Sequence, residues 1–490
     1  MSIIDLGLLV AVMSAAVPTA SAEQAGHPPT ITLTNAQGEN ARWSGIGRLS
    51  LPDYRQCIAT LIDTTGGRHV PENPLYAVTS GHCIDQRHGV IVRDGSIDAK
   101  VTFNYFVDTP DQRWTLPVKH VLWSSMQGTD LALLQLDGTQ GQALEANITP
   151  VPMGHPPAPG STVQVIGESS EPDQGLRLSR CEDQQEKVAV VYPWVWRNAR
   201  RNDCEGMAEG ASGSPVIEPA SGRLVGIVNS TAQERQGNVT CSLEHPCQAD
   251  GQPLPAPRNF AMPVSRLLGC FTQGRADLSQ DGCELLPGFQ LQQQIAPWAI
   301  SKIASATDGR QILPTWGLTF TLDTPRYRYK TTRDALACED PSGYSGTIPA
   351  SQNRIDDPVG PEPGWHYLCL IGVDGPEQQP SPGLMANSLS IPLLLLPEGL
   401  PIPTLTTVYT EDGDVDVTWH LAPPNLTLYR VKRGAPDQID CNDPSGYRAM
   451  PRTQHRIPAT QLPMKLCTKA YDLLKQSSPA RMDLLEPRSG

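Results

Sequence analysis

Between about residues 43 and 265 the chain alternates short apolar runs with clusters of Gly, Pro, Asn and Asp. The runs at 75–79, 101–107, 131–136, 163–166, 187–192, 224–228 and 259–264 each have the length of a strand. Many short strands separated by turn residues predict an all-β sandwich or barrel. Helical signals are sparse, with one candidate at 264–271 and a second at 291–306.

Beyond about residue 300 the pattern repeats itself. Cys338-Glu-Asp-Pro-Ser-Gly-Tyr344 returns as Cys441-Asn-Asp-Pro-Ser-Gly-Tyr447, a shift of 103 (441 − 338), and Thr315-Trp316 returns at the same shift as Thr418-Trp419. Tyr327-Arg328-Tyr329-Lys330 faces Tyr429-Arg430-Val431-Lys432, displaced by 102 (429 − 327), so one residue was gained or lost between the markers. One further cysteine, Cys369 or Cys467, closes each copy. Shared markers in one order mean a tandem repeat, and copies of about a hundred residues have the size of a small β-sandwich. The segment from Tyr367 to Asp374 resembles a late strand of a fibronectin type III domain.

Composition narrows the classes. A chain of 490 residues is too long for one ordinary domain. Its 47 Pro and 42 Gly are too few for low-complexity disorder but enough for many turns. Thirty-eight Lys and Arg against 51 Asp and Glu leave a net charge of −13, the wrong sign for binding nucleic acid or an anionic membrane. Near the start, an apolar run from Ile3 to Val17 precedes Ala20-Ser21-Ala22, which predicts a signal peptide at 1–22, although Asp5 stands where positive charge is usual. No later stretch is apolar enough to be a transmembrane anchor. The expected product is secreted or periplasmic, in a compartment where twelve cysteines mean disulfides. The organisation expected is an N-terminal extension at 23–42, a β-rich domain at 43–285, a linker at 286–300, and repeats at 301–396 and 397–490.

Three segments carry candidate chemistry: Val78-Thr-Ser-Gly-His-Cys83, Gly128-Thr-Asp-Leu-Ala-Leu-Leu-Gln-Leu136 and Glu209-Gly-Ala-Ser-Gly-Ser-Pro-Val216. Each alone is an ordinary turn or cap. In this order, on an exported β-rich chain, they resemble the trypsin-like, chymotrypsin-fold serine peptidases over roughly residues 43 to 270. The order His, Asp, Ser also differs from that of α/β-hydrolases and subtilisins. The resemblance implies two barrels, with Ser212 as nucleophile, His82 as the base that takes its proton, and Asp130 orienting the imidazole. It further implies an oxyanion hole from the backbone N–H groups of Gly210 and Ser212. Asn229, Ser230 and Thr231 would be the strip that pairs with an extended substrate. Gly206 stands where a trypsin carries its pocket aspartate; Glu205, Glu209 and Arg258 lie near enough to influence specificity, which stays open.

There are two departures from the family pattern, of which the first carries weight and the second, a swap among small residues, carries little. Ala211 replaces the aspartate that pairs with a freed N-terminus, and Ser80-Gly81 replaces the commoner pair of alanines before the histidine. The resemblance implies a Cys57–Cys83 disulfide. Neighbouring pairs are candidates for the rest: Cys181 with Cys204, Cys241 with Cys247, Cys270 with Cys283, Cys338 with Cys369, and Cys441 with Cys467. Connectivity stays open at this point. No metal or cofactor is expected, since Cys-x-x-Cys is missing and His245 lacks ligand-spaced companions. Asn147, Asn229, Asn238 and Asn425 head glycosylation sequons, and Arg197, Arg200 and Arg201 form a basic cluster expected on a solvated loop. The function expected is a secreted serine endopeptidase acting on protein or peptide substrates, its repeats docking it to a surface or macromolecule. The alternative is an inactive homologue that serves as a secreted binding or adhesion protein.

Overall fold

The computed structural model describes residues 30–488 apart from 54, 69, 169–173, 208–209, 233–240, 244, 249–257, 421–427 and 451. The expected signal peptide lies outside the described residues, as do Glu209, Asn238 and Asn425. The chain is nearly all β. Among the described residues the two α-helices are the short Gln140–Glu145 and Pro382–Ala386, and no helix is long and apolar enough to cross a membrane.

Six strands close the first barrel: β1 (Ile46–Ser50), β2 (Gln56–Asp63), β3 (Pro74–Thr79), β4 (Lys100–Phe103), β5 (Trp114–Ser125) and β6 (Leu131–Thr139). Antiparallel pairing runs β1-β2-β3-β6-β5-β4 and back to β1. A second ring is built from β7 (Thr162–Glu168), β8 (Leu176–Val191), β9 (Trp194–Asn202), β10 (Pro215–Glu218), β11 (Arg223–Ala232) and β12 (Arg258–Pro263). It closes in the order β8-β7-β10-β11-β12-β9 and back to β8. Closure removes the sheet edges that would otherwise invite pairing with other chains.

The apolar runs lack clean alternation because both faces of many strands are covered. Leu75 and Ala77 fill the first barrel, whereas Tyr76 and Val78 join Ile58, Leu133, Ile166, Ile217 and Ile227 in the layer between barrels. Upstream of the first barrel, Ile31–Thr32 pairs with Leu178 and Arg177, and Leu33 enters the same layer.

Neither helical candidate forms. At 264–271 there is one 3-10 turn, Ser265–Leu267, because the chain must bend where Gly269 meets the backbone of Gly282 and Cys270 bonds to Cys283. The stretch 291–306 is extended: β13 (Leu291–Ile295) pairs with β14 (Leu318–Leu322) of the first repeat, and Pro297 breaks any helical continuation. Phe289 and Leu291 belong to that repeat's core, so 286–300 is built into it and does not hang as a connector.

Within the first repeat, β13 and β14 pack across one core from a sheet containing β15 (Arg326–Thr332), β16 (Gly364–Val373) and β17 (Leu389–Leu396). The second repeat uses β18 (Leu405–Tyr409), β19 (Val415–Trp419) and β21 (Gln454–Ile457) on one side. Opposite them lie β20 (Leu428–Gly434), β22 (Met464–Tyr471) and β23 (Arg481–Leu485).

The shared motif makes the same turn twice. Lys330 donates to the carbonyls of Asp340 and Ser342 and lies over Tyr344, whose hydroxyl donates to the Cys338 carbonyl. In the second copy Lys432, Asp443, Tyr447 and Cys441 stand in those roles. Each lysine also sits opposite the closing cysteine of its copy, Lys330 beside Cys369 and Lys432 beside Cys467.

The copies differ in what their outer faces meet. In the first, Leu368, Leu370, Leu393 and Leu395 face the repeat's own core, while Trp365, Tyr367, Leu394 and Leu396 pack on Val188, Val190 and Val195 of the β8–β9 hairpin. Counted back from the closing cysteines, Lys465 of the second copy stands where the first has Tyr367. The same hairpin overturns the expectation of a solvated arginine loop. Arg197, Arg200 and Arg201 all lie in β9; Arg197 is buried among atoms of the first repeat, Arg200 pairs with Asp183, and Arg201 donates to Gln184.

Candidate active site

His82 sits on a single 3-10 turn, Gly81–Cys83, at the end of β3. Glycine is needed just before it, because a Cβ at position 81 would lie 2.4 Å from the Ser125 carbonyl oxygen. Cys83 is bonded to Cys57 on β2, which ties the histidine turn to the barrel wall. Asp130 stands immediately before β6 and is fully buried. Its Oδ1 accepts from the backbone N–H of His82 at 2.7 Å and its Oδ2 meets His82 Nδ1 at 2.7 Å. Two bonds from one carboxylate fix both the turn and the ring.

Ser212 comes from the other barrel, on the loop between β9 and β10. Its Oγ lies 2.9 Å from His82 Nε2, so the three side chains form one unbroken chain of contacts across the barrel interface. The backbone locks that meeting. Ile58 N–H donates to the Ser212 carbonyl at 2.7 Å, and Gly213 N–H donates to the Val228 carbonyl at 2.8 Å. Gly213 has φ +89°, and a Cβ there would fall 1.8 Å from the Ile58 carbonyl oxygen, so no larger residue fits. Gly210 has φ +93° with open space where a Cβ would be.

Ala211 is buried in an apolar cluster with Met207, Val163, Val216, Val225 and the paired Cys181 and Cys204. All twelve cysteines are bonded, Cys181–Cys204, Cys241–Cys247, Cys270–Cys283, Cys338–Cys369 and Cys441–Cys467 in addition to Cys57–Cys83. Cys57, His82 and Cys83 lie close together, but the disulfide leaves no thiolate to hold a metal.

The expected substrate strip is largely engaged within the protein. Asn229 is buried; its Nδ2 donates to the Asp130 carbonyl at 2.5 Å and the Ser80 hydroxyl at 3.0 Å, and its Oδ1 accepts from Met262 N–H at 2.9 Å. Burial also closes its sequon to modification. Ser230 donates to the Leu243 carbonyl in the small Cys241–Cys247 loop, and Thr231 donates to Asn259 Oδ1 at 3.0 Å. Gly206 is exposed against the side chain of Thr30.

Ser80, to which the sequence reading attached no role, donates to the Val228 carbonyl at 3.0 Å and so links β3 to β11 behind the site. A small polar side chain directly before the histidine turn was the available signal.

None of the curated proteins matches the chain. Solved structures to which the chain shows similarity include the thermostable serine protease AL20 from an extremophilic microorganism, with 14% identity over 46% of this chain and 92% of that one at a TM-score of 0.30. Another is the protease Anisep from Arthrobacter nicotinovorans, with 15% identity over 46% and 91% and a TM-score of 0.30. Deg5 has 15% identity over 47% and 88%, with a TM-score of 0.29. The family model of the trypsin-like peptidase domain matches residues 60–227, so the chain is similar to that family over the span that carries His82, Asp130 and Ser212.

Proposed function

We propose that this protein is an exported serine endopeptidase that cleaves peptide bonds through an acyl-enzyme on Ser212. The observation that carries the reading is the contact chain from Asp130 through His82 to Ser212, with both links under 3 Å. A serine hydroxyl is a weak nucleophile until a neighbouring base takes its proton. His82 Nε2 takes it as Oγ attacks the carbonyl, and later returns it to the leaving amine. Asp130 holds Nδ1–H toward itself and stabilises the imidazolium that forms. The N–H groups of Gly210 and Ser212 stabilise the oxyanion, and the unencumbered Gly210 leaves room for the substrate to approach them.

Nothing in this scheme uses a freed N-terminus. The loop before Ser212 is held by apolar packing of Ala211 and Met207 on the Cys181–Cys204 bond, where an ion pair would otherwise shape it. Six disulfides suit an oxidising compartment outside the cytosol. The two repeats, each with two sheets over one core, are read as fibronectin-like sandwiches, the second available for docking to substrate or surface.

A fluorophosphonate that modifies activated serines tests the reading. Stoichiometric labelling of the mature protein, abolished by Ser212→Ala and by His82→Ala, is the expected result. A folded wild type that takes no label would overturn it and leave the inactive binding homologue.

A further inference from the structure

The loop from Met126 to Asp130 is supported from two sides, by barrel strand β9 and by the first repeat. Arg197 is the centre of the contact. Its side chain is fully buried, and its Nε donates to Glu339 Oε1 at 3.0 Å and its Nη1 to Ser390 Oγ at 2.7 Å. Its Nη2 donates to the carbonyls of Ala386 at 3.0 Å and Ser388 at 3.1 Å. All of these acceptors belong to the first repeat.

The backbone N–H of Arg197 points the other way and donates to the Gly128 carbonyl at 3.0 Å, two residues before Asp130. Gly128 is pressed between the two partners: with φ +66°, a Cβ there would lie 2.2 Å from Arg197 Nη2 and 3.1 Å from the Ala386 carbonyl oxygen. Gln127, also buried, donates from Nε2 to the Asn387 carbonyl at 3.3 Å. Three consecutive carbonyls of the repeat, at 386, 387 and 388, therefore receive donors from the segment that delivers Asp130 and from the arginine beneath it.

The anchor itself is rigid. The Asn387 side chain is buried, donates to the carbonyls of Leu285 at 2.9 Å and Pro287 at 3.0 Å, and accepts from Arg266 Nη2 at 2.8 Å. A planar guanidinium has donors in a fixed fork, so four bonds from one side chain define its position closely. The second copy lacks this chemistry: Asn442 replaces Glu339, and register places Met482 where the first copy has Ser390.

We propose that Arg197 and Gln127 are positioning residues, through which the first repeat holds the Gly128–Asp130 loop in the geometry that orients His82. The first repeat then belongs to the catalytic unit and is not a detachable docking module. The inference rests on the peptidase reading above, and acts through Asp130 without touching substrate.

The test uses the full-length protein and its Arg197→Met, Arg197→Lys and Gln127→Met variants. Two quantities are read: the saturated rate and half-saturating concentration of Ser212 modification by a fluorophosphonate, and the low-field proton resonance of His82 Nδ1–H. Misplacing a catalytic group by about 1 Å costs on the order of a hundredfold, so R197M should lose roughly tenfold or more in saturated rate. Its half-saturating concentration should stay within about twofold of wild type, R197K should recover part of the rate, and the proton resonance should move in R197M. A folded R197M with unchanged rate and resonance overturns the proposal. If R197M does not fold, Q127M decides: a slower saturated rate supports the proposal and an unchanged one overturns it. A wild type that takes no label overturns the peptidase reading instead. The resonance then decides this inference alone, a shift in R197M supporting it and an unmoved signal refuting it.

Discussion

Asn229 holds Asp130 from behind: its amide donates to the Asp130 backbone carbonyl at 2.5 Å while its own oxygen accepts from Met262 N–H at 2.9 Å. One side chain thus ties the aspartate's peptide to a strand of the other barrel. Asn229→Ala strips partners from two buried backbone groups and from Ser80, and each unsatisfied group costs about 1–3 kcal/mol. Denaturant unfolding should show a loss of about 3 kcal/mol in total, together with slower fluorophosphonate labelling.

Ala211 gives a prediction of opposite character, because it asks what happens when the family's usual aspartate is restored. Ala211→Asp would put a carboxylate among Met207, Val225 and the Cys181–Cys204 bond, with no cation described beside it. An unpaired buried charge costs about 3 kcal/mol or more, or is protonated instead. Stability of A211D should therefore drop sharply at pH 8 and recover as the pH is lowered. Acetylation of the mature N-terminus should leave wild-type labelling unchanged.

Gly213→Ala should remove labelling outright. The Cβ would collide with the Ile58 carbonyl at 1.8 Å, and the loop would have to leave φ +89°. Displacing Ser212 by an ångström is worth roughly a hundredfold in rate. Labelling that stays within about tenfold of wild type would mean that the two barrels do not meet as described.

His88 predicts an acid limb in stability. It packs against Trp194, shares a 3.1 Å hydrogen bond with Gln293 of the first repeat, and is pushed by burial from 6.5 down to about 4. Between those values the unfolded chain binds the proton and the folded one does not. Stability from this group is therefore complete above pH 6.5 and is lost as the pH falls toward 4, by up to about 3 kcal/mol. Urea midpoints for wild type and His88→Gln at pH 7 and pH 4.5 check it; the variant should show the shallower fall.

Much of the architecture could be read from the chain because local chemistry announces it. Turn residues bound the strands at 74–79, 131–139 and 223–232, and the Trp, Tyr and Cys markers repeat in order. What escaped depends on partners distant in sequence. Leu291–Ile295 spaces its apolar ends four apart, which suits a helix until pairing with Leu318–Leu322 makes it a strand. Arg197 looked solvated beside Arg200 and Arg201 because its acceptors lie 142 and 193 residues further along the chain. The one legible sign was the unbroken run Leu393–Leu396 in β17, since a strand apolar at every position needs cover on both faces. Asn229 was noticed for its place on β11, but its inward bonds, to Asp130 of the other barrel and to Met262 of the neighbouring strand, are marked by no sequence pattern.

The acceptors of the buried guanidinium come late in the chain. Glu339 and Ser390, which satisfy Arg197, follow it by 142 and 193 residues. A chain interrupted anywhere between Ser212 and Glu339 already contains His82, Asp130 and Ser212, yet still lacks the acceptors that Arg197 uses in the finished fold. On the proposal that Arg197 positions the Asp130 loop, the site would be complete only once this distant C-terminal segment has been made.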